Sequence, residues 1–194
     1  MQMKRKVGAV IIMHPGQCNY GSSLQGYATA KKVADFGYEY EIIRYNKVRD
    51  VKSFLKNFVG LMRSRAFRQW KYLRKKKKDF IQYPEFARTR KIREEAVNIF
   101  KARYLDSVSH YYNGYKALQE GSKNYSVVFV GSDQVCGPLS LYSKFYNLYF
   151  VDNSIPKFSY ASSFGVSSIF PWQRKGVAGF LKRLDLIGVR EQRG

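Results

Sequence analysis

The chain has 194 residues, of which 45% are hydrophobic and 16% aromatic, which is enough apolar material for one sizeable core and excludes a disordered protein. Its formal net charge of +21 predicts attraction to polyanions, whether anionic lipid, nucleic acid or a phosphorylated substrate. Two cysteines and two histidines without ligand spacing exclude a disulfide framework and a recognisable metal site, so we expect a reducing, cytoplasmic setting.

The first predicted element is a strand over residues 6–13. The run KVGAVIIM is apolar and partly β-branched, as expected of a strand buried on both faces of a parallel sheet. The run is short and lacks the small-residue cleavage site of a signal peptide. No segment of the chain reaches the ~18 apolar residues of a membrane-spanning helix. We therefore expect any membrane contact to be peripheral.

A helix over residues 24–36 and a strand over 40–45 complete a β-α-β unit. The residues before the helix then lie at the carboxyl end of a strand, beside a helix amino terminus that attracts anions. The polar group there consists of Asn19, Tyr20, Gly21 and Ser22. These residues can cap the helix or contact a ligand, and the sequence leaves both roles open.

The same loop imitates a phosphate-binding loop without matching it. Gly16 and Gly21 have the right spacing, but Ser22 stands where such a loop has the Lys that reaches the terminal phosphates. The chain also lacks the GxGxxG pattern of dinucleotide-binding proteins. These differences speak against a nucleoside triphosphatase.

Residues 44–78 differ in composition from the rest of the chain. They contain fourteen Lys or Arg and one acidic residue, a net +13 of the chain's +21. Apolar residues recur there at helical spacing, which predicts an amphipathic, basic helical insertion over about 46–105. We favour a helix packed on its own domain with a solvated basic face over a helix docked on anionic lipid. Nucleic acid ranks third, because no motif that reads bases accompanies the charge.

The insertion is predicted to end in a helix over 85–105, followed by a short helix near 115–120. Because it carries many charges, this helical excursion should project partly from the sheet. The predicted buried side of the longer helix consists of Phe86, Ile92, Ala96, Ile99 and Phe100.

The central strand begins at Val127 in the run VVFVGSDQVC. Four consecutive apolar residues suit a strand covered by helices on both faces. Gly131 then allows the backbone to approach a ligand closely, and polar side chains follow it. We expect this strand end to face the polar group at residues 19–22 across a crevice.

The carboxyl-terminal part is predicted to contain a strand over 157–162, a helix over 171–181 and a strand over 186–190. A buried strand so close to the last residue lacks the helix that should follow it. We therefore expect the chain to be one half of a larger protein.

Four segments in order, CNYGSSLQGYA, VVFVGSDQV, FSYASSFG and LIGVREQRG, closely resemble the polysaccharide pyruvyl transferase family. The resemblance implies that residues 1–194 form the Rossmann-like amino-terminal domain of a GT-B-like protein with two domains. It also implies transfer of a pyruvyl group from phosphoenolpyruvate to hydroxyls of a glycan acceptor, in capsular or exopolysaccharide synthesis. No cofactor is implied beyond phosphoenolpyruvate as co-substrate.

In that family the cradle for phosphoenolpyruvate is expected mainly in the second domain, which the resemblance implies is not included in these 194 residues. The resemblance therefore implies that the fragment is inactive alone, needs the missing domain or a partner chain, and works in the cytoplasm, near the inner membrane face. It also implies that Asp133 serves as a general base or orients a sugar hydroxyl, although the same carboxylate could merely cap the following turn. The implied substrate contacts are Asn19, Tyr20, Gly21, Gln25, Gly131, Ser132, Gln134, Tyr160, Ser162, Ser163 and Arg190. Arg190 could instead pair with Glu191.

Two departures from the family pattern stand out. Cys136 replaces a Trp, which removes a packing or sugar-stacking surface, and Gly26 and Thr29 loosen the first helix. A nucleophilic Cys136 is disfavoured because no histidine lies near it in sequence.

Two alternatives from other classes stay open: a non-catalytic module that binds membranes or polyanions, and a glycosyltransferase that uses a nucleotide sugar.

Overall fold

The computed structural model of the protein describes residues 6–13, 19–46, 82–137, 144–166, 168–190 and 192. In chain order its strands and helices are β1 (Lys6–Val10), α1 (Tyr20–Asp35), β2 (Glu39–Asn46), α2 (Pro84–Tyr104), β3 (Ser109–Asn113), α3 (Tyr115–Ser122), β4 (Val127–Asp133), β5 (Lys157–Ser162), α4 (Pro171–Leu181) and β6 (Leu186–Val189).

The six strands form one parallel sheet in the order β3-β2-β1-β4-β5-β6. The chain moves outward from β1 through β2 to β3, and then outward from β4 through β5 to β6. The order therefore reverses between β1 and β4, which is where open parallel sheets form a crevice at the carboxyl ends of their strands. The predicted Rossmann-like α/β class is confirmed.

Alternation along the buried strands divides the core into two layers. In β4, Val128 and Val130 pack on the face that α3 and α4 cover, while Phe129 packs on the face of α1 and α2. Leu118 of α3 and Phe180 of α4 complete the first layer, and both are fully buried. Because both faces are covered, the strand has no polar side, which explains its continuous apolar run.

Helix α2 buries a different side from the one predicted. Val97 is its one buried residue among those described, whereas Phe86, Ile92, Ala96 and Ile99 are exposed. Phe100 is half-buried, its ring 5.8 Å from that of Tyr27 on α1. The buried side of α2 is narrow because only the carboxyl-terminal part of this helix packs on α1. The large apolar side chains of its amino-terminal part are exposed.

The sequence analysis missed one strand and placed the start of one helix too late. Strand β3 was not predicted, because the sequence SHYYN has no apolar run. It lies at the edge of the sheet, where backbone pairing with β2 suffices. Helix α1 begins at Tyr20, four residues early, because the Asn19 carboxamide accepts a hydrogen bond from the Ser22 N–H at 3.3 Å and caps the helix there.

Most of the predicted basic insertion, residues 47–81, lies outside the described residues, so the insertion stays a prediction. Arg44, the first residue of the basic segment, lies in β2, and its guanidinium donates to the Met13 carbonyl at 3.1 Å. It therefore stabilises the carboxyl end of β1. No helix in the described part of the chain combines the length and apolarity needed to cross a membrane.

Candidate functional site

A cavity of about 320 Å³ lies at the carboxyl edge of the sheet, beside the point where the strand order reverses. Its walls come from three parts of the chain: the first turns of α1, the end of β4 and the residue after β6. The lining residues are Asn19, Gly21, Ser22, Gln25, Ser132, Asp133 and Arg190. The predicted crevice between residues 19–22 and the end of the central strand is therefore present.

The structure brings together six of the predicted site residues and leaves six outside the cavity wall. Tyr20 and Tyr160 are 46% and 56% exposed but do not line the cavity. Gly131, Gln134, Ser162 and Ser163 also lie outside its lining. Ser22 also lines the cavity, as expected for the polar group at residues 19–22, although it is not among the substrate contacts that the family resemblance implies. The feature of the sequence that points to Ser22 is its position in the first turn of a helix that begins after the capping residue Asn19.

The turn after β4 depends on a glycine. Gly131 has a φ of 154°, and a Cβ there would overlap the carbonyl oxygen of Tyr160 on β5. Only glycine tolerates both the backbone conformation and the close approach. Its role is therefore to let β4 and β5 come together beneath the cavity, so that Ser132 and Asp133 reach the cavity wall.

Asp133 both caps the turn and faces the cavity. Its backbone has a φ of 114°, and its Oδ1 accepts a hydrogen bond from the Gln134 N–H at 2.8 Å. The Asp133 carbonyl accepts from the N–H groups of Val135 and Ser163, at 2.7 and 3.0 Å. Because a carboxylate has two oxygens, capping through Oδ1 leaves Oδ2 available to the hydroxyl of a ligand. The two predicted roles of Asp133 are therefore compatible.

The two serines at the carboxyl end of β5, Ser162 within the strand and Ser163 after it, hold the strand ends together. Ser162 is fully buried and donates to the Val130 carbonyl at 3.4 Å. The Ser163 carbonyl accepts from the Cys136 N–H at 3.2 Å, and its hydroxyl accepts from the Gly165 N–H at 3.1 Å. In this structure both serines connect the loops after β4 and β5 and do not reach the cavity.

Two residues in the first turns of α1, Ser22 and Gln25, line the cavity and carry buried polar atoms without a hydrogen-bond partner among the described residues. Ser22 is only 7% exposed, and within the described residues its hydroxyl has no hydrogen-bond partner. The same is true of the buried Nε2 of Gln25, which lies one turn further along the helix. The first turn of α1 contains no acidic residue. The positive end of the helix dipole is therefore not neutralised by its own side chains.

Cys136 belongs to the core and not to the cavity. It is 1% exposed and packs in the layer beneath α3 and α4. Burial raises the pKa of its thiol, and hydrogen bonds with Ser162 and Ser159 only partly oppose this. A thiol that resists ionisation away from the cavity is unsuited to nucleophilic catalysis.

A second cavity, of about 380 Å³, lies at the opposite edge of the sheet. Its most basic residue, Arg183, donates to the Val151 carbonyl at 3.0 Å and to Asn153 Oδ1 at 3.2 Å, and its guanidinium lies 4.6 Å from the centre of the Tyr149 ring. These contacts hold the loop before β5. Among the described residues, no three His, Cys, Asp or Glu side chains come together as metal ligands would.

Comparison with known proteins agrees with this architecture. Residues 19–194 match the family model of the polysaccharide pyruvyl transferases. Searches of curated proteins and of solved structures gave no significant match. The matched region covers most of the chain and includes every element that lines the cavity. The protein therefore belongs to the polysaccharide pyruvyl transferase family.

Proposed function

We propose that this protein takes part in the transfer of a pyruvyl group from phosphoenolpyruvate to hydroxyls of a sugar, with the cavity at the carboxyl edge of the sheet holding the sugar. The observation that carries this proposal is the position of Asp133, at the strand-order reversal of a member of this family. A carboxylate there can orient a sugar hydroxyl and accept its proton. The described residues of α1 and β4 form the acceptor side of the reaction.

The reaction requires an addition and then a substitution at one carbon. A sugar hydroxyl adds to C2 of phosphoenolpyruvate while the methylene carbon receives a proton and becomes a methyl group. A second hydroxyl then replaces the phosphate at C2, and its proton leaves with the phosphate. The products are a pyruvate ketal of the sugar and inorganic phosphate. Asp133 would relay the proton of an attacking hydroxyl.

The donor needs more positive charge than this cavity supplies. Phosphoenolpyruvate carries a phosphate and a carboxylate, and electrostatic stabilisation of such a group requires several preorganised cations. In the described part of the chain, Arg190 is the one basic residue that lines the cavity. We therefore propose that the donor cradle is supplied by a further domain or a partner chain, and that these 194 residues alone bind acceptor without turnover.

The test is a pyruvylation assay with phosphoenolpyruvate and a panel of hexoses, hexose phosphates and oligosaccharides. We would run it on this chain and on the full translated product of its gene. Release of inorganic phosphate together with a sugar that gains a pyruvate ketal, identified by mass spectrometry, supports the proposal. Absence of both products with every acceptor and both protein forms contradicts it.

The concentration of positive charge in residues 44–78 suggests where the acceptor comes from. A helix packed on its own domain still keeps a solvated basic face, and we propose that this face brings the protein to an anionic membrane surface, where lipid-linked sugars reside. Basic residues near such a surface each contribute about 1 kcal/mol of attraction. The enzyme would then act as a peripheral protein on the cytoplasmic side.

A further inference from the structure

We propose that the amino terminus of α1 binds the phosphate of a phosphorylated sugar acceptor, with the sugar ring directed toward Asp133. This inference rests on the proposed function, because it names the class of acceptor that the same cavity takes. Four features carry it: a buried hydroxyl, a buried amide, an unneutralised helix terminus and the arrangement of charge across the cavity.

The buried hydroxyl is that of Ser22. A hydroxyl that is buried without a partner is costly, since it has given up its hydrogen bonds to water. Ser22 is 7% exposed, lines the cavity and has no partner for its Oγ among the described residues. Its backbone N–H is already used by the Asn19 cap, so the hydroxyl is not required to begin the helix. A ligand oxygen would give the Ser22 hydroxyl the partner it lacks.

Gln25 presents the second unpaired group on the same helix face. It follows Ser22 by three residues, a spacing that places two side chains next to each other along a helix. Its Nε2 is buried without a partner in the described part of the chain, and Gln25 also lines the cavity. An amide nitrogen can only donate. The ligand must therefore present acceptor oxygens here.

The charges across the cavity indicate how the ligand is oriented. The positive end of α1 and the guanidinium of Arg190 attract an anion, whereas Asp133 repels one. A ligand with one anionic end and a hydroxyl-bearing end fits this division. A sugar phosphate has this form, because its phosphate can lie at α1 while a hydroxyl approaches Asp133.

The same division disfavours phosphoenolpyruvate as the occupant. That molecule has two anionic groups and no hydroxyl, so one of its anions would approach Asp133. The cavity, at about 320 Å³, lies near the lower end of the roughly 300–1,000 Å³ of small-molecule sites. It is therefore large enough for a single hexose phosphate, but the described residues that line it offer the donor no suitable second anion site.

The experiment is a calorimetric titration of the 194-residue chain at about 0.15 M salt, where long-range attraction to the basic surface is screened. The probes are glucose 1-phosphate, glucose, inorganic phosphate and phosphoenolpyruvate. We expect saturable binding of glucose 1-phosphate, displacement by inorganic phosphate, and much weaker binding of glucose. Absence of glucose 1-phosphate binding, equal binding of glucose, or tighter binding of phosphoenolpyruvate would overturn the inference.

Three variants separate a built site from general charge attraction. Ser22→Ala and Arg190→Ala should each weaken glucose 1-phosphate binding about tenfold, the value of a hydrogen bond to a charged group. Lys182→Ala, which removes a positive charge beyond α4 and away from the cavity, should leave binding unchanged. The melting temperature of Ser22→Ala should equal or exceed that of the parent, because the lost hydroxyl has no partner to leave unpaired. Equal weakening in all three variants, or unaltered binding in Ser22→Ala, would contradict the site.

The source of the phosphate is tested by competition against bound glucose 1-phosphate. UDP-glucose represents nucleotide-linked sugars, and a glucosyl diphosphate on a prenyl chain in detergent represents lipid-linked ones. Displacement by either supports the inference, and displacement by neither opposes it. The pyruvylation assay distinguishes this failure from that of the proposed function. Binding of sugar phosphate without any pyruvylated product would support the phosphate site and contradict the proposed function. Unimpaired pyruvylation of neutral glycans by Ser22→Ala would support the proposed function and contradict the phosphate site.

Discussion

At the scale of single residues, the chemistry that we propose for the cavity centres on the Asp133 carboxylate, and its removal is the first prediction. By the proposed function, Asp133→Asn in a protein form that turns over should lower the rate of pyruvyl transfer about 10²–10⁴-fold, the usual contribution of a positioned acid or base. The amide keeps the turn because its oxygen can still accept from the Gln134 N–H. The rate is measured as phosphate release.

The matched control is Asp35→Asn, the same change at the exposed carboxyl end of α1. It should leave the rate unchanged. A parent-like rate in Asp133→Asn would assign that carboxylate to the turn alone.

Gly131 provides the second prediction. Gly131→Ala should destabilise the fold by about 2–4 kcal/mol, because the new Cβ meets a backbone carbonyl and the residue must hold a positive φ. Gly179→Ala is the matched control, since a Cβ there meets nothing within 4 Å and the residue lies within helix α4. It should stabilise by about 0.5–1 kcal/mol. Urea unfolding measures both, and equal stability of the two variants would show that the close approach of β4 and β5 is not needed.

At the scale of elements, α2 shows how a helix with apolar residues on several sides chooses one to bury. Val97→Ala should cost about 1–3 kcal/mol, because this side chain is 2% exposed and its removal leaves a cavity. Ile99→Ala removes a larger side chain, yet should change the free energy of unfolding by less than about 0.5 kcal/mol, because Ile99 is 63% exposed. Denaturant unfolding distinguishes the two, and a larger loss for Ile99→Ala would restore the helix orientation inferred from sequence.

The amino edge of the sheet is held by a polar cluster that spans several elements. Tyr125, just before β4, donates to the Glu41 carboxylate of β2, which also pairs with Lys6 of β1. Since Tyr125 has a single proton, the Tyr112 hydroxyl of β3 is the donor in the 2.9 Å contact between the two phenols. Burial raises the pKa of Tyr125, and the hydrogen bonds to Glu41 and Tyr112 raise it further. The folded state therefore favours the protonated phenol.

This cluster predicts a pH dependence. The stabilisation by Tyr125 is complete below the unfolded phenol pKa of about 10 and is lost as the pH rises above it, because only the unfolded chain then releases the proton. Tyr125→Phe should cost about 1–3 kcal/mol at pH 7 and less at higher pH. Urea unfolding at pH 7 and above pH 10 tests this, with Tyr38→Phe as an exposed control. A cost independent of pH would contradict the assignment.

At the scale of the whole molecule, the net charge of +21 predicts a salt-sensitive association with anionic membranes. The purified chain should float with vesicles containing phosphatidylglycerol at low salt and be released near 1 M salt, where the Debye length is about 3 Å. Replacing the basic run at residues 74–78 by Gln should weaken flotation, and vesicles of phosphatidylcholine alone serve as the control. Failure to bind at low salt would remove the membrane from the proposal.

Much of the architecture is predictable from local patterns. The β5 strand and the α4 helix have the predicted bounds, and β4 begins where its apolar run begins. Buried parallel strands require uninterrupted apolar residues, so they can be recognised from the sequence. Strand β3 was not predicted because an edge strand is held by backbone pairing, which does not require an apolar run in the sequence.

The sequence by itself determined the α/β class, the family and the polar strand ends, because composition, periodicity and ordered motifs are properties of neighbouring residues. Only the tertiary structure decided which polar residues share a cavity. It placed Ser22 and Arg190 with Asp133, and directed Ser162 and Ser163 to the connections between strands. The physical reason is that these outcomes depend on distant segments. Whether a side chain is buried, hydrogen-bonded or exposed depends on which distant segments the fold packs against it.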